Sequence, residues 1–380
     1  MPASSKSLAL YHAKERSRGT FIEYNAGLGT TLTRRFRAIR DVSLALAENR
    51  IHAHYQPIVR LDTGEVVGFE ALCRMTTTSG EIIAAANFHE ATKDAHVAAK
   101  LTECMLLCVA RDMRAWLDGG LPFQHVGINL SAADFNAGHL QERLCAIFAD
   151  AGVPLKHVIL EVTESVYLGQ RDHVVAEEIK SLRNRGMRVA LDDFGTGFAS
   201  LTHLLTVPVD IIKIDKSFVE RLVPGHGAVI IVEGLLSIAA KLGLRVVAEG
   251  IETDAQLDQL LSFGCRLGQG YLFSKAVDQD AATSLLARYG QHAEIGRSRA
   301  ARLSVYRAKR SYLSAIRRKP CSDTMLDVLR AQASRWSMSA RDLHVWIPLG
   351  PADKALPVWM VCIPSDATQR ITGIGSATTE

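Results

Sequence analysis

Short apolar runs rich in β-branched residues alternate with amphipathic stretches of helical spacing, and this alternation restricts the fold more than any other feature. The runs fall at 66–69, 126–130, 158–162, 189–191, 209–214, 244–248 and near 270–273, after an extended segment, His54-Tyr55-Gln56-Pro57-Ile58-Val59. Helical stretches lie between them at 95–117, 139–151, 174–185, 228–242 and 253–263, and another precedes them at 31–48. Strand, helix, strand, helix implies a parallel sheet covered by helices. With about eight strands, the leading architecture is an α/β fold, a (β/α)8 barrel of the TIM type. A doubly wound open sheet is the alternative, although no Gly-X-Gly-X-X-Gly opens a first β–α unit. Pro57 places its segment at a strand end or an edge. No internal repeat is evident.

Composition narrows the class. With 48% hydrophobic and 22% charged residues, the 380-residue chain reads as a soluble globular protein of one large domain with appendages, or two ordinary ones. No apolar run approaches the ~18 residues of a membrane span, and the opening residues show no secretory signal, so a cytoplasmic location is expected. Cys73, Cys104, Cys108, Cys145, Cys265, Cys321 and Cys362 are odd in number and lack a metal-ligand cadence. Reduced, buried thiols are expected; Cys104 and Cys108, spaced i, i+4, suit core packing better than zinc.

The net charge of +4 hides an asymmetry. Nine Lys/Arg and no acid fall between Arg297 and Lys319; without them 35 of the 44 basic residues remain against 40 acidic ones. The body is therefore mildly acidic, which gives no support to specific nucleic-acid binding by it. The expected organisation is an N-terminal appendage at 1–40, a barrel at 41–289, and a basic helix with weakly ordered tail at 290–380. The basic segment is also a candidate for docking on nucleic acid or an anionic membrane, although such stripes are more often solvated helix faces.

Polar residues recur where the apolar runs end: Glu70, Asn129, Glu161 and Glu164, the pair Asp192-Asp193, Lys213 and Asp215, Glu249 and Glu252, and Gln269. Taken singly, each has an ordinary structural explanation as a cap, a turn former or a solvated edge charge. In a barrel of parallel strands, however, all such ends converge on one face. Adjacent carboxylates at ~4 Å repel by about 4 kcal/mol at an effective dielectric of about 20, so solvent, a basic partner or cations must offset them. Oxygen ligands with an Asn carbonyl, and no Cys or His, point to Mg²⁺ or Mn²⁺. Two such ions ~3.5–4 Å apart suit in-line displacement at phosphorus, and a lysine among the acids suits holding the attacking water.

These motifs resemble those of the EAL-domain cyclic di-GMP phosphodiesterases. Glu70-Ala71-Leu72 with Arg74 is joined by Tyr-Gln-Pro-Ile-Val at 55–59, Asn-Leu-Ser at 129–131 and Glu-Val-Thr-Glu at 161–164. Asp-Asp-Phe-Gly-Thr-Gly at 192–197, Lys-Ile-Asp-Lys-Ser-Phe at 213–218, Ala-Glu-Gly-Ile-Glu at 248–252 and Gln-Gly-Tyr-Leu-Phe-Ser at 269–274 follow in the family's order. The resemblance implies a TIM-like barrel whose first strand runs antiparallel. It implies one metal held by Glu70, Asn129, Glu161 and Asp192, and a second held by Asp192, Asp193 and Glu249. Lys213 would position the nucleophilic water, Glu164 would fix the loop at 194–200, and Glu252 would be a further acid at the site's edge. Gln56, Arg74 and Gln269 would contact substrate. The implied reaction is hydrolysis of cyclic di-GMP to linear 5′-pGpG, in a homodimer joined through the loop after Asp193. The runner-up reading is a receptor that binds cyclic di-GMP without turnover and signals through a partner.

The chain departs from the family pattern at Met75, where an aromatic residue is usual, at Arg266, where an acid is common, and at Ala276, where proline is common. None of these is a metal ligand. At the N-terminus, Ala-Leu-Tyr-His-Ala-Lys at 9–14 with Phe21 resembles the last helix and strand of a GGDEF diguanylate-cyclase domain, without that domain's catalytic loop. No cyclase activity is expected.

Overall fold

The alternating runs close into a cylinder. In the computed structural model the described residues are 26–136, 138–167, 172–195, 204, 208–223, 225–289, 344–349 and 356–361. The cyclase-like motif and the basic stretch from Arg297 to Lys319 lie outside them. The chain divides into two units, Met1–Ala308 and Lys309–Glu380. Of the second, the described residues form one antiparallel hairpin, His344–Leu349 with Leu356–Val361, in which Trp346 is in register with Trp359.

In the first unit the strands are β1 (Ile51–Arg60), β2 (Val66–Thr76), β3 (Ile82–Ala84), β4 (His125–Leu130), β5 (Val158–Thr163), β6 (Arg188–Phe194), β7 (Ile211–Ile214), β8 (Arg245–Ala248) and β9 (Leu267–Gly268). Their order is β1-β9-β8-β7-β6-β5-β4-β2, and β1 also pairs with β2, so eight strands close the ring while β3 extends β2 outside it. Within the ring all neighbours are parallel except β1, which runs antiparallel to both β2 and β9; the outlying β3 is antiparallel to β2. Pro57 fits because the neighbour on that side is interrupted: β9 pairs only with Val59 and Arg60, and Val277 bridges Tyr55. The missing Pro N–H therefore leaves no ladder bond unmade.

Besides a single helical turn at His89–Thr92, the helices are α1 (Ala26–Ala47), α2 (Ala95–Asp118), α3 (Ala132–Asn136), α4 (Leu140–Asp150), α5 (Glu164–Tyr167), α6 (Asp172–Asn184), α7 (Lys216–Val219), α8 (Gly227–Leu242), α9 (Asp254–Ser262) and α10 (Gln279–Tyr289). Their starts are chemically marked. Asp94 accepts from the His96 and Val97 N–H groups at 3.1 Å, and Thr253 with Gln256 forms a capping box. Among the described residues no helix is long and apolar enough to cross a membrane.

One expected strand is displaced. The segment at 270–273 is a turn, and the last strand lies just before it at Leu267–Gly268. The chain there hydrogen-bonds the Ile251 loop instead of a strand: the Ile251 N–H donates to the Gln269 carbonyl at 3.1 Å and the Leu272 N–H to the Ile251 carbonyl at 3.0 Å. A Cβ on Gly270 would run into the Ile251 backbone, so only glycine permits this approach.

The main core lies between strands and helices. Tyr55, Phe69 and Trp116 stack there with centroids 4.9–5.9 Å apart, and Tyr55 donates to the buried Asp112 at 2.7 Å. Met75, one of the family departures, is buried near the end of β2 in a smaller cluster with Ile51, Phe88 and Leu101. A second apolar layer, Ile58, Val67, Ile159, Ala190, Ile211 and Val247, packs with Leu267. Strand alternation then carries Ile159 to Glu161, Ala190 to Asp192, Ile211 to Lys213 and Val247 to Glu249 on the same face. The apolar plug thus supports a charged layer at the C-terminal mouth.

At the N-terminal end His125 is 4% exposed, and burial, reinforced by the charges of Arg188 and Arg245, pushes its imidazole down to about 4. A histidine whose folded pKa is depressed favours folding above its unfolded value near 6.5, and that contribution is lost as pH falls through 6.5 toward 4. Denaturant melts of the wild type and His125→Phe across this range should diverge by roughly 3 kcal/mol at the acid end, the wild type losing more. Parallel curves would show that His125 is not the buried neutral group described.

Candidate active site

The acids reach the mouth from neighbouring strands: Glu70 from the middle of β2, Glu161 and Asp192 from near the ends of β5 and β6, and Glu249 from just past β8. Glu70 lies on β2 beside Gly127 of β4, Asn129 on β4 beside Glu161 of β5, and Gln56 on β1 opposite Glu70. Asp192 and Asp193 present a conflict, because successive residues of a regular strand face opposite sides. Asp193 resolves it by taking a left-handed φ of 54°, and the β6–β7 register shifts between Leu191 and Phe194. This irregularity lets both carboxylates serve one mouth.

Two groups of carboxylates result. Oxygens of Glu70, Glu161 and Asp192 lie within 4.8 Å of one another, and so do oxygens of Asp192, Asp193 and Glu249. Asp192 belongs to both. Between them sits Lys213, 2% exposed, its ammonium 2.6 Å from Glu161, 2.8 Å from Glu249 and 3.1 Å from both Glu70 and Asp192. Burial alone would strip the amine of its proton, but the four carboxylates outweigh it and hold Lys213 well above its ordinary value.

One ammonium does not satisfy five acids. Burial, with the charge of Glu70, pushes Glu161 well above the carboxylate range. Burial and the charges of Glu70 and Asp192 push Glu249 up to about 8. Burial and the neighbouring Asp192 and Asp215 push Asp193 up to about 6. Glu70 is the exception. Its burial is outweighed by Lys213 and by hydrogen bonds from Gln269 and Asn129, so it lies below the usual range. With all five ionised, the cluster carries four more negative charges than Lys213 balances, the charge of two divalent cations. The donor set is all oxygen, hard and partly buried, and fits Mg²⁺ or Mn²⁺ better than softer ions.

Not every expected residue joins this cluster. The Asn129 amide donates to Glu70 Oε1 at 3.1 Å. Glu164 is buried, and its Oε1 accepts from the Gly195 N–H at 2.8 Å, tying the segment after the paired aspartates to the end of β5. Beyond Gly195, the loop at 196–200 lies outside the described residues. Glu252 is exposed in the approach to α9 and belongs to neither carboxylate group. Arg74 is half-buried four residues along β2 from Glu70, and its guanidinium donates to the Cys73 carbonyl at 3.0 Å. Gln56 donates to the Ser274 carbonyl at 3.5 Å. Gln269 is buried, and its amide donates to Glu70 Oε2 at 2.6 Å and Glu249 Oε1 at 3.2 Å. It therefore holds two acids in place, with only its oxygen unpartnered.

Two positions matter that the motif reading does not single out. Gly127 faces Glu161 so closely that a Cβ there would collide with the carboxylate, so the glycine creates the space Glu161 occupies. Asp134, fully buried, accepts from the Ser131 N–H at 2.9 Å, the Ser131 hydroxyl at 2.7 Å and the Thr102 hydroxyl at 3.0 Å. It anchors the turn that carries Asn129. The sequence signals were slight: a glycine inside a strand, and an acid three residues after a serine.

Fold and site together define a TIM-type barrel with an antiparallel first strand and an acidic mouth suited to divalent cations. The chain belongs to the EAL-domain family, whose EAL domain matches residues 39–276. The bifunctional diguanylate cyclase/cyclic di-GMP phosphodiesterase MucR of Pseudomonas aeruginosa is 30% identical over 281 residues, covering 73% of this chain and 41% of that protein. The cyclic di-GMP phosphodiesterase NbdA of the same organism is 30% identical over 282 residues, covering 74% of this chain and 36% of that protein. The solved structure of the PaMucR phosphodiesterase in its c-di-GMP complex superposes with a TM-score of 0.61 at 31% identity, covering 65% of this chain and 99% of that one. The chain spans less than half the length of the curated relatives it matches.

Proposed function

We propose that this protein is a metal-dependent phosphodiesterase that opens cyclic di-GMP at one phosphodiester to give linear 5′-pGpG. The observation that carries the reading is the buried Lys213 ammonium, in contact with four carboxylates and unable to balance them. Glu70, Asn129, Glu161 and Asp192 would hold one Mg²⁺ or Mn²⁺ ion, and Asp192, Asp193 and Glu249 the second. Bound there, the ions would supply charge stabilisation at the phosphoryl group and lower the pKa of water.

The protein's own groups do the rest. Surrounded by carboxylates, Lys213 keeps its proton and acts as a hydrogen-bond donor, which orients a water rather than deprotonating it. Gln269 fixes Glu70 and Glu249 relative to each other, a positioning role that leaves its oxygen for substrate. Arg74 supplies a fork for phosphate oxygens, and Gln56 a polar contact on the adjoining strand. Glu164 sets the start of the loop after Asp193 through the Gly195 N–H. That loop is the proposed seam of a homodimer, and Glu252 a peripheral acid.

The test is turnover. Purified protein with cyclic di-GMP and Mg²⁺ or Mn²⁺, its products separated by chromatography, should yield 5′-pGpG, and Glu70→Ala and Lys213→Ala should yield none. Nucleotide that binds but survives at every cation concentration, in assured dimers, would make the chain a receptor instead.

A further inference from the structure

The end of the barrel opposite the acids has its own constellation. Strand alternation places Arg188 on the inward side of β6 with Ala190 and Asp192, and Arg245 on the inward side of β8 with Val247 and Glu249. His125 opens β4 on the side of Gly127 and Asn129. On the adjacent strand β2, Gly68 lies in register with His125. In barrels of this type, inward layers are filled by four side chains from alternate strands. Three of them here, from β4, β6 and β8, are a histidine and two arginines. The glycine is required, because a Cβ on Gly68 would strike the His125 carbonyl and ring.

Three observations make this layer unlike an ordinary solvated edge. Two of the acids at this end are taken: Asp210 accepts two hydrogen bonds from Arg183 at 2.6 and 3.0 Å and a third from the Val189 N–H at 2.9 Å, and Asp62 accepts from Arg60 at 2.8 and 3.0 Å. Among the described residues neither Arg188 nor Arg245 has a salt-bridge partner. Beneath them, His125 is 4% exposed with its Nδ1 lacking any hydrogen-bond partner. Arg188 and Arg245 both lie close enough to act on the His125 ring through their charge. Two arginines on the inward sides of their strands, both acting on a ring with an unsatisfied buried polar atom, are the ingredients of a site for a compact anion.

We propose that the N-terminal mouth of the barrel is a phosphoryl-binding site, separate from the acidic mouth, in which Arg188 and Arg245 grip the phosphoryl oxygens of inorganic phosphate or a phosphomonoester above His125. The forked, bidentate geometry of arginine suits a tetrahedral oxyanion better than chloride. The two mouths of the barrel then differ in sign: acids at the C-terminal ends of the strands, bases at the N-terminal ends. Phosphate bound at the basic mouth would tie together β4, β6 and β8, the strands that lead to Asn129, Asp192 and Glu249.

Thermal melting of the full chain in EDTA, at constant ionic strength, tests the proposal with inorganic phosphate and glycerol 3-phosphate as probes and chloride as control. Without divalent cations the acidic mouth repels both probes, so a shift reports the opposite end. A saturable rise in melting temperature is expected. Arg188→Gln and Arg245→Gln should each weaken the midpoint by about tenfold or more, and Arg245→Lys by less. Tighter saturation by glycerol 3-phosphate would assign the site to an organic phosphomonoester, and equal midpoints to inorganic phosphate itself. A rise that never saturates, or that persists unchanged in the variants, is general exclusion of phosphate from the surface and overturns the proposal. Arg245 is exposed, so Arg245→Gln decides the matter even if Arg188→Gln fails to fold.

Discussion

Lys213→Met should abolish turnover of cyclic di-GMP, by at least about a thousandfold, and should also unsettle the barrel itself. The side chain is nearly isosteric, so the change removes the charge and leaves the packing. Glu70, Glu161, Asp192 and Glu249 then lose the ammonium that lies 2.6–3.1 Å from each of them. Removing one partner of a buried ion pair typically costs about 3–5 kcal/mol, although these acids can relieve part of it by taking up protons. Their folded pKa values would stand above the unfolded ones, so the variant's stability is retained in acid and lost as pH rises. Melts at pH values of about 5 and 8 should therefore separate variant from wild type mainly at the higher pH. Adding Mn²⁺ should restore much of the melting temperature and none of the turnover. Recovery of both would show that Lys213 merely balances charge.

Gly127→Ala should be nearly as damaging, although it alters no ligand and no charge. The added methyl falls on the Glu161 carboxylate, which cannot retreat because Lys213 lies 2.6 Å away on its other side. Overpacking of this kind costs about 1–3 kcal/mol, and a displacement near 1 Å at a reacting centre costs about a hundredfold in rate. Steady-state kinetics with saturating Mn²⁺ should show the loss in kcat. Gly234→Ala is the control: its Cβ would meet nothing within 4 Å on α8, so it should be neutral or slightly stabilising. Equal, small effects from both substitutions would mean that Glu161 is not held where it is described.

The sequence carried the barrel well because its evidence is redundant. Apolar runs such as 158–162 and 189–191 are buried on both sides, and the helices between them have recognisable caps and faces. The acids are legible for a related reason: an apolar run that meets Glu or Asp marks the mouth, as at Glu161, Asp192 and Glu249, and Glu70 does so too although β2 continues past it to Thr76. What stayed hidden depends on spatial relations that no single run encodes. Asp192 and Asp193 look like neighbours facing apart until the positive φ at Asp193 and the β6–β7 register shift are seen. Gly127 reads as a weak spot in a strand rather than as space for Glu161. Tyr271, Leu272 and Phe273 look like a strand, while the backbone of Ile251 claims that segment for a turn. Arg188, Arg245 and His125 sit in separate strand starts, and only closure of the ring makes them one layer.

Counting bound cations tests the central claim most directly, that the charge left over at the acidic mouth is built for two divalent ions. Manganese titrated into the protein at fixed pH, with free ion followed by its paramagnetic resonance signal, should show two sites per chain. Asp192→Asn, which removes the carboxylate common to both groups, should weaken both sites together, while Asp193→Asn keeps a residue tolerant of the left-handed backbone and should weaken one. Two sites that respond in this pattern are the result the structure predicts. A single site, or manganese binding unchanged in Asp192→Asn, would contradict it.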